Sequence, residues 1–378
     1  MKLVFVTNYI NHHQVHLADE FYLLLGDGYK FISTMDIPVE RRKLGYPDYS
    51  ERPYHIMAYK SQEIYNSALQ YINEADVVIV GSAPQKMITQ RIQTGKLVFR
   101  YNERWFKSKP WYLTGLRGWW NIYINHLRYN KKPIYMLCAS AFTAQDVNAV
   151  GAYKNKCYKW GYFTKVEDFD VETLINRDSD RILQIMWCAR FLKFKHPELP
   201  VKLAARLKSK GYKFIINMFG SGEEFEVTKN LAKKLNVEDV VNFCGNKPND
   251  EILSEMRRHD IFLFTSDRNE GWGAVLNEAM SNGCAVVGSD EIGSVPFLIE
   301  DGVNGYKFKS RNLDSLEKKV VYLIENPNVR LNMAKNAYHT MSSIWSPANA
   351  ARQFIRLVDS LIAGDENNIS NIGPGSKI

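Results

Sequence analysis

No stretch of the 378-residue chain approaches the ~18–20 consecutive apolar residues that span a bilayer as a helix. The opening MKLVFVTNYINHHQ is too short in its apolar part, and too polar after it, for a signal peptide. It reads as a first buried strand, so a cytoplasmic protein is expected. Cysteine is scarce: Cys138, Cys157, Cys188, Cys244 and Cys284 are odd in number, widely spaced, and form no C-x-x-C pair. That argues against a disulfide framework or a zinc site. Glycine is missing from the loop after residues 2–6, which speaks against the G-x-G-x-x-G fingerprint of an NAD-linked oxidoreductase.

What is present is an ordinary globular composition, 45% hydrophobic and 24% charged. One core grows efficiently only to ~250–300 residues, so two domains are expected. Short apolar runs alternate with amphipathic segments. The runs are 2–6, 76–80, 96–100 and 134–140, then 182–189, 213–220, 240–245, 260–266 and 284–289. Runs of this kind suit parallel strands buried on both faces. Helical patterns fall at 198–209, 223–235 and 250–258, the last with Asn249 or Asp250 as cap. The acidic segment 164–180 has no strand of its own and separates the two sets. Ser346 and Pro347 open a final amphipathic helix, and the polar tail after Gly364 reads as flexible.

Acid is also nearly absent from residues 100–132. There Arg100, Arg104, Lys107, Lys109, Arg117, Arg128, Lys131 and Lys132 face only Glu103, a local charge of +7 out of a net +8. Trp105, Trp111, Trp119 and Trp120 lie in the same stretch. Basic residues interleaved with aromatics suit an anionic membrane surface, which is the favoured reading. The alternative is a solvated basic face over an aromatic cluster; a nucleic-acid partner is not expected.

Three loops after strands carry candidate chemistry. Arg190 and Lys195 follow the run 182–189, and such cations can neutralise a diphosphate leaving group. Gly220-Ser221-Gly222-Glu223 follows 213–220. After 260–266 come Glu270, Gly271, Trp272, Gly273 and Ala274, then a helix bearing Glu278. The glycines allow close backbone approach, a helix start suits a phosphate, and two carboxylates suit the hydroxyls of a sugar and a ribose. Two D-x-D strings, Asp168–Asp170 and Asp178–Asp180, fall in the interdomain segment; no metal role is assigned to them.

The order strand–R-x4-K, strand–GSGE, strand, strand–E-x7-E, with GCAVVGSDEIGSVPFLIEDGVNGYKF after it, resembles the retaining, glycogen-synthase-like glycosyltransferases of GT-B fold (bacterial group one transferases). The resemblance is specific over 181–345. TNYINHHQ, FRYNERWFK and CASAFTAQDVNAVGAYKNKCYKWGYF further resemble a polysaccharide-biosynthesis subgroup. It implies an α/β fold of two Rossmann-like domains with parallel sheets facing across a cleft. Residues 1–165 would bind the acceptor and 181–345 the nucleotide sugar, helix 346–363 would cross back, and 364–378 would form the flexible tail. By this match Glu270 contacts the donor sugar, Glu278 the ribose, and Arg190 and Lys195 the diphosphate of a UDP- or GDP-sugar. Gly220, Gly222 and residues 271–274 join the donor site. The implied reaction moves the sugar to a saccharide or lipid-linked saccharide with retention, without an obligatory cofactor. After the fourth strand of the first domain the family places a polar residue near the reacting carbon. Glu103 is the candidate here, a salt bridge to Arg104 or Arg100 being the alternative. Asn11 and His13 are cleft candidates, against a helix cap and a surface histidine. The chain departs from the pattern at Phe297, where the family has an acid, and in the glycine-free first loop. A nucleotide-sugar epimerase, another enzyme of this fold, or a non-catalytic nucleotide-sugar binder are the remaining readings.

Overall fold

The apolar runs become strands of two parallel sheets, all of them inner strands except 240–245, which lies at an edge. The computed structural model describes residues 1–43, 47–108, 115–174 and 181–378. The chain divides into two compact units, Met1–Thr164 with Ser346–Ile378, and Lys165–Trp345. The first holds β1 (Leu3–Thr7), β2 (Tyr29–Ser33), β3 (His55–Met57), β4 (Val77–Val80), β5 (Leu97–Asn102), β6 (Ile134–Cys138) and β7 (Cys157–Lys159). Their order is β3-β2-β1-β4-β5-β6-β7, every pair parallel. The second holds β8 (Leu183–Cys188), β9 (Phe214–Phe219), β10 (Val241–Gly245), β11 (Ile261–Phe264), β12 (Ala285–Ser289) and β13 (Tyr306–Phe308). Its order is β10-β9-β8-β11-β12-β13, again parallel.

The strands that the apolar runs do not announce are β2, β3, β7 and β13. Three of these are three-residue edge strands, too short to carry a run. In β2, Lys30 interrupts the apolar pattern. Each sheet begins in its middle and reverses direction, between β1 and β4 and between β8 and β11. The carboxyl ends of the strands at such a reversal are the place where open α/β sheets take ligands.

The terminal helix Pro347–Ala363 belongs to the first unit. Ser346 caps it by accepting a hydrogen bond from the Asn349 N–H, Pro347 opens its first turn, and Gly364 at φ 69° ends it. Its Phe354 is fully buried, 5.5 Å from Phe21, 5.0 Å from Phe99 and 5.6 Å from Trp160, ring centre to ring centre. Burial of one such side chain contributes about 3 kcal/mol.

Two local expectations are corrected. The tail after Gly364 is not loose: Ser376 and Gly375 exchange hydrogen bonds with Lys159, both 2.8 Å, and the Ile378 N–H donates to the Cys157 carbonyl at 3.0 Å. The open edge of β7 offers unpaired backbone groups, and the tail satisfies them antiparallel to the strand. Helix Asn249–Met256 is capped neither by Asn249 nor by Asp250; Pro248 holds the cap position, without a side-chain bond.

Candidate functional site

In the second unit the loops leaving β8 and β11 meet at the point where strand order reverses. Buried Trp187 donates from Nε1 to Thr265 Oγ1 at 2.8 Å, and Thr265 Oγ1 donates to the Lys195 carbonyl at 2.7 Å. The Asp267 N–H donates to the Phe194 carbonyl at 2.9 Å. With both backbones tied, Lys195 Nζ forms an ion pair with Glu270, whose Oε2 also accepts from Ser266 Oγ at 3.0 Å. The two side chains are only 12% and 14% exposed, so solvent screens their attraction weakly. Arg190, in the loop after β8, is exposed, and its guanidinium makes no hydrogen bond or ion pair among the described residues. Glu278 is buried in the helix Val275–Ser281, and burial pushes its carboxyl up to about 7. The Cys188 thiol, at the end of β8, is pushed up to about 12 by burial, with Glu278 adding to the rise and Lys195 opposing it. Lys195, Glu270, Glu278 and Cys188 thus share one neighbourhood.

Gly220 and Gly222 have φ 125° and 151°. A Cβ would sit 2.0 Å from the Ala189 carbonyl oxygen at the first and 2.5 Å from that of Phe191 at the second. The glycines let the loop after β9 lie across the backbone that carries Arg190, and the Phe191 N–H donates to the Ser221 carbonyl at 2.8 Å. Gly271 and Ala274 are buried in the turn that leads into the Glu278 helix. Trp272 lies in the same turn. The ring is fully buried, donates from Nε1 to Asn277 Oδ1 at 2.9 Å, and packs 5.9 Å from Trp345. Phe297 stacks on the same Trp345 at 6.1 Å, so the residue that replaces the family's acid serves an aromatic cluster.

In the first unit, a cavity of about 510 Å³ opens at the ends of β1, β4 and β5, and Glu103, Asn11 and His13 all line it. Glu103 is held by Lys107 Nζ at 2.6 Å and by the Tyr162 hydroxyl at 2.7 Å. The expected alternative partners are elsewhere. Arg104 reaches Asp146 at 3.6 Å and lies over the Phe142 ring, while Arg100 donates to Gln85 Oε1 and the Asn125 carbonyl. Asn11 precedes the helix Val15–Leu25, whose cap position is Gln14 rather than Asn11; the Asn11 Oδ1 accepts from the His13 N–H at 2.9 Å, and its carbonyl from Gln14 and Val15. The His13 ring stacks on Tyr162 at 5.4 Å and 11°.

The basic stretch is less exposed than its charge suggests. Arg100 and Arg104 are buried, and Lys107 is paired with Glu103. Trp105 and Trp119 pack partly buried against the core of the first unit. Arg117, Arg128 and Lys131 are exposed, as is Trp120 at 64%. Lys109 and Trp111 lie outside the described residues, as do Asp178 and Asp180. Of the other D-x-D string, Asp168 accepts from the Tyr338 hydroxyl at 3.4 Å and Asp170 from the Glu172 N–H at 3.0 Å. Among the described residues no helix is long and apolar enough to cross a membrane.

Residues 170–340 match the family Glycosyl transferases group 1. That match lies within the second unit and includes Arg190, Lys195, Glu270 and Glu278. The uncharacterized glycosyltransferase MJ1069 of Methanocaldococcus jannaschii is 24% identical over 199 residues, 52% of this chain and 50% of that protein. N-acetyl-alpha-D-glucosaminyl L-malate synthase of Bacillus anthracis is 24% identical over 190 residues, 50% of this chain and 48% of that protein. The chain thus spans about half the length of these curated relatives. Anabaena Alr3699/HepE, solved in complex with UDP, superposes with a TM-score of 0.69 at 16% identity, covering 95% of this chain and all of that one. This likeness shows the GT-B fold, two Rossmann-like α/β domains.

Sequence reasoning missed Ser266, Asp267, His196 and Tyr162. The first two directly follow β11, where a strand-end rule would have pointed. His196 sits next to Lys195, and Tyr162 closely follows β7.

Proposed function

We propose that the protein is a retaining glycosyltransferase that moves a sugar from a UDP- or GDP-sugar to a saccharide or lipid-linked saccharide in surface polysaccharide biosynthesis. The observation that carries this reading is the meeting of Lys195 and Glu270, from two separate loops, at the strand reversal of the second unit. The diphosphate would draw Lys195 from Glu270 and add Arg190, which frees the Glu270 carboxylate for sugar hydroxyls. Glu278, titrating near neutrality, can accept from or donate to a ribose hydroxyl. As the bond from the anomeric carbon to the diphosphate breaks, its electron pair goes to a phosphate oxygen stabilised by the two cations. The acceptor oxygen attacks the same face, and its proton leaves to that phosphate oxygen. The two side-chain cations supply charge that a metal would otherwise provide, so none is obligatory in this reading. Glu103, with Asn11 and His13 beside it, belongs to the acceptor side.

HepE was solved with UDP, which supports a nucleoside diphosphate as the first ligand to try. A donor that binds the folded protein raises its melting temperature by mass action, so a nucleotide-sugar screen identifies it. NMR of the product anomer then tests the stereochemistry. No stabilisation by any nucleotide sugar, or an inverted product, contradicts the reading.

Peripheral attachment to the inner face of the cytoplasmic membrane is part of the same proposal. On helix Gly115–Asn125, Leu116, Trp120 and Tyr123 are 92%, 64% and 50% exposed at a spacing that shares one face, with Arg117 beside them. Each basic residue near an anionic surface adds roughly 1 kcal/mol. Flotation with anionic vesicles should weaken with salt and with Trp120→Ser. A protein that ignores such vesicles at low salt contradicts the attachment.

A further inference from the structure

His196 is a histidine in a place that suits glycine. Its backbone is left-handed, φ 52° and ψ 54°, at the end of the turn that carries Lys195. Its ring explains why the strain is tolerated. Nδ1 lies 3.1 Å from Glu198 Oε1, and Nε2 lies 3.1 Å from Asp267 Oδ2. Carboxylates only accept, and a neutral imidazole donates from one nitrogen only, so both bonds form together only on the imidazolium.

Asp267 in turn organises the loop that presents Glu270. Its Oδ1 accepts from the Asn269 N–H and Nδ2, each at 2.9 Å, and its carbonyl accepts from the Glu270 N–H at 3.0 Å. We propose that the His196 imidazolium is a positioning residue, tying the Lys195 turn to the Glu270 turn so that both side chains are set for the donor. The proposal rests on the donor-site reading above.

The charges acting on the ring are Glu198, at the start of helix Glu198–Ser209, and Asp267, on the loop after β11. On its own turn stand Lys193 and Lys195, the latter engaged with Glu270. Burial alone would lower the histidine, but the bonds to Glu198 and Asp267 outweigh it and hold the ring above its ordinary value. The Glu198 carboxyl, raised by burial, is lowered overall by the bond to His196. The tie is therefore complete below the ordinary histidine range, down to the lowered Glu198 value. It is lost as pH rises through the raised histidine value.

The test is the pH profile of kcat and of donor KM for the wild type, His196→Gln, His196→Gly and Lys195→Ala. The wild type should lose kcat along an alkaline limb. His196→Gln should be down ~10-fold at neutral pH, with that limb flattened. His196→Gly relieves the left-handed strain, so it should fold at least as stably as His196→Gln and be equally slow. A His196→Gln or His196→Gly enzyme with wild-type kcat and alkaline limb overturns the proposal. If Lys195→Ala is crippled while both His196 variants match wild type, the proposal alone falls. If Lys195→Ala keeps full activity, the donor-site reading falls and the proposal with it.

Discussion

Both units reverse strand order midway through the sheet, yet they furnish the loop cluster at that point in opposite ways. In the second unit it is ionic: Lys195 pairs with Glu270, His196 bridges Glu198 and Asp267, Arg190 stands exposed, and Glu278 is buried with no cation paired to it among the described residues. In the first unit it is a polar cavity walled by Tyr162, His13 and Asn11, where Glu103, the one carboxylate that lines it among the described residues, is held by Lys107 and Tyr162. The first arrangement suits a leaving group that gains charge. The second suits a neutral hydroxyl-rich ligand that needs orienting. On the proposed reading one architecture would serve two partners, because the loops, not the sheets, carry the chemistry.

The sharpest way to break this contrast is Lys195→Ala. It should lower kcat by ~10²-fold or more by removing a cation from the leaving group. It should leave acceptor KM near the wild-type value, and steady-state kinetics with both substrates varied separates the two effects. A smaller effect, about 10-fold, is expected for Glu103→Gln, and it should fall on acceptor KM and kcat while donor affinity holds. A shift in donor affinity instead would erase the division of labour.

The smallest effect sharpens the electrostatic half. Burial raises the Glu278 carboxyl to about 7, above its unfolded value. Below the ordinary glutamate range it is neutral in both states and carries no penalty. As pH rises above that range the unfolded carboxyl ionises while the folded one keeps its proton, so stability falls until about 7, where the folded carboxyl ionises too and the penalty levels off. Glu278→Gln should therefore raise Tm at pH 8 and leave it nearly unchanged at pH 5, in the absence of nucleotide. Equal shifts at both pH values would contradict the buried, raised carboxyl.

The second unit was the more legible of the two in sequence, for a physical reason. Its candidate site residues Arg190, Lys195, Glu270 and Glu278 come after buried apolar strands, so they could be named from the chain. What could not be read was which side chains face inward. Trp272 sits between two site glycines and looks like a ligand contact, but its ring closes an aromatic cluster with Phe297 and Trp345. Charge counting failed similarly at residues 100–132, because Arg100 and Arg104 are themselves buried, against Gln85 and Asp146 from outside the stretch. In the first unit, Glu103 meets Tyr162 across a separation of 59 residues that no local pattern encodes. The tail was misjudged because its polar composition says nothing of the open β7 edge that receives it.

The central claim is that the second unit holds the nucleoside diphosphate and the first does not. Calorimetric titration of UDP and GDP into the full-length wild type, Lys195→Ala and Glu103→Gln tests it most directly. The account predicts that one nucleotide binds, that Lys195→Ala weakens it by ~10-fold or more, and that Glu103→Gln leaves it unchanged. Binding lost with Glu103→Gln and kept with Lys195→Ala would contradict it.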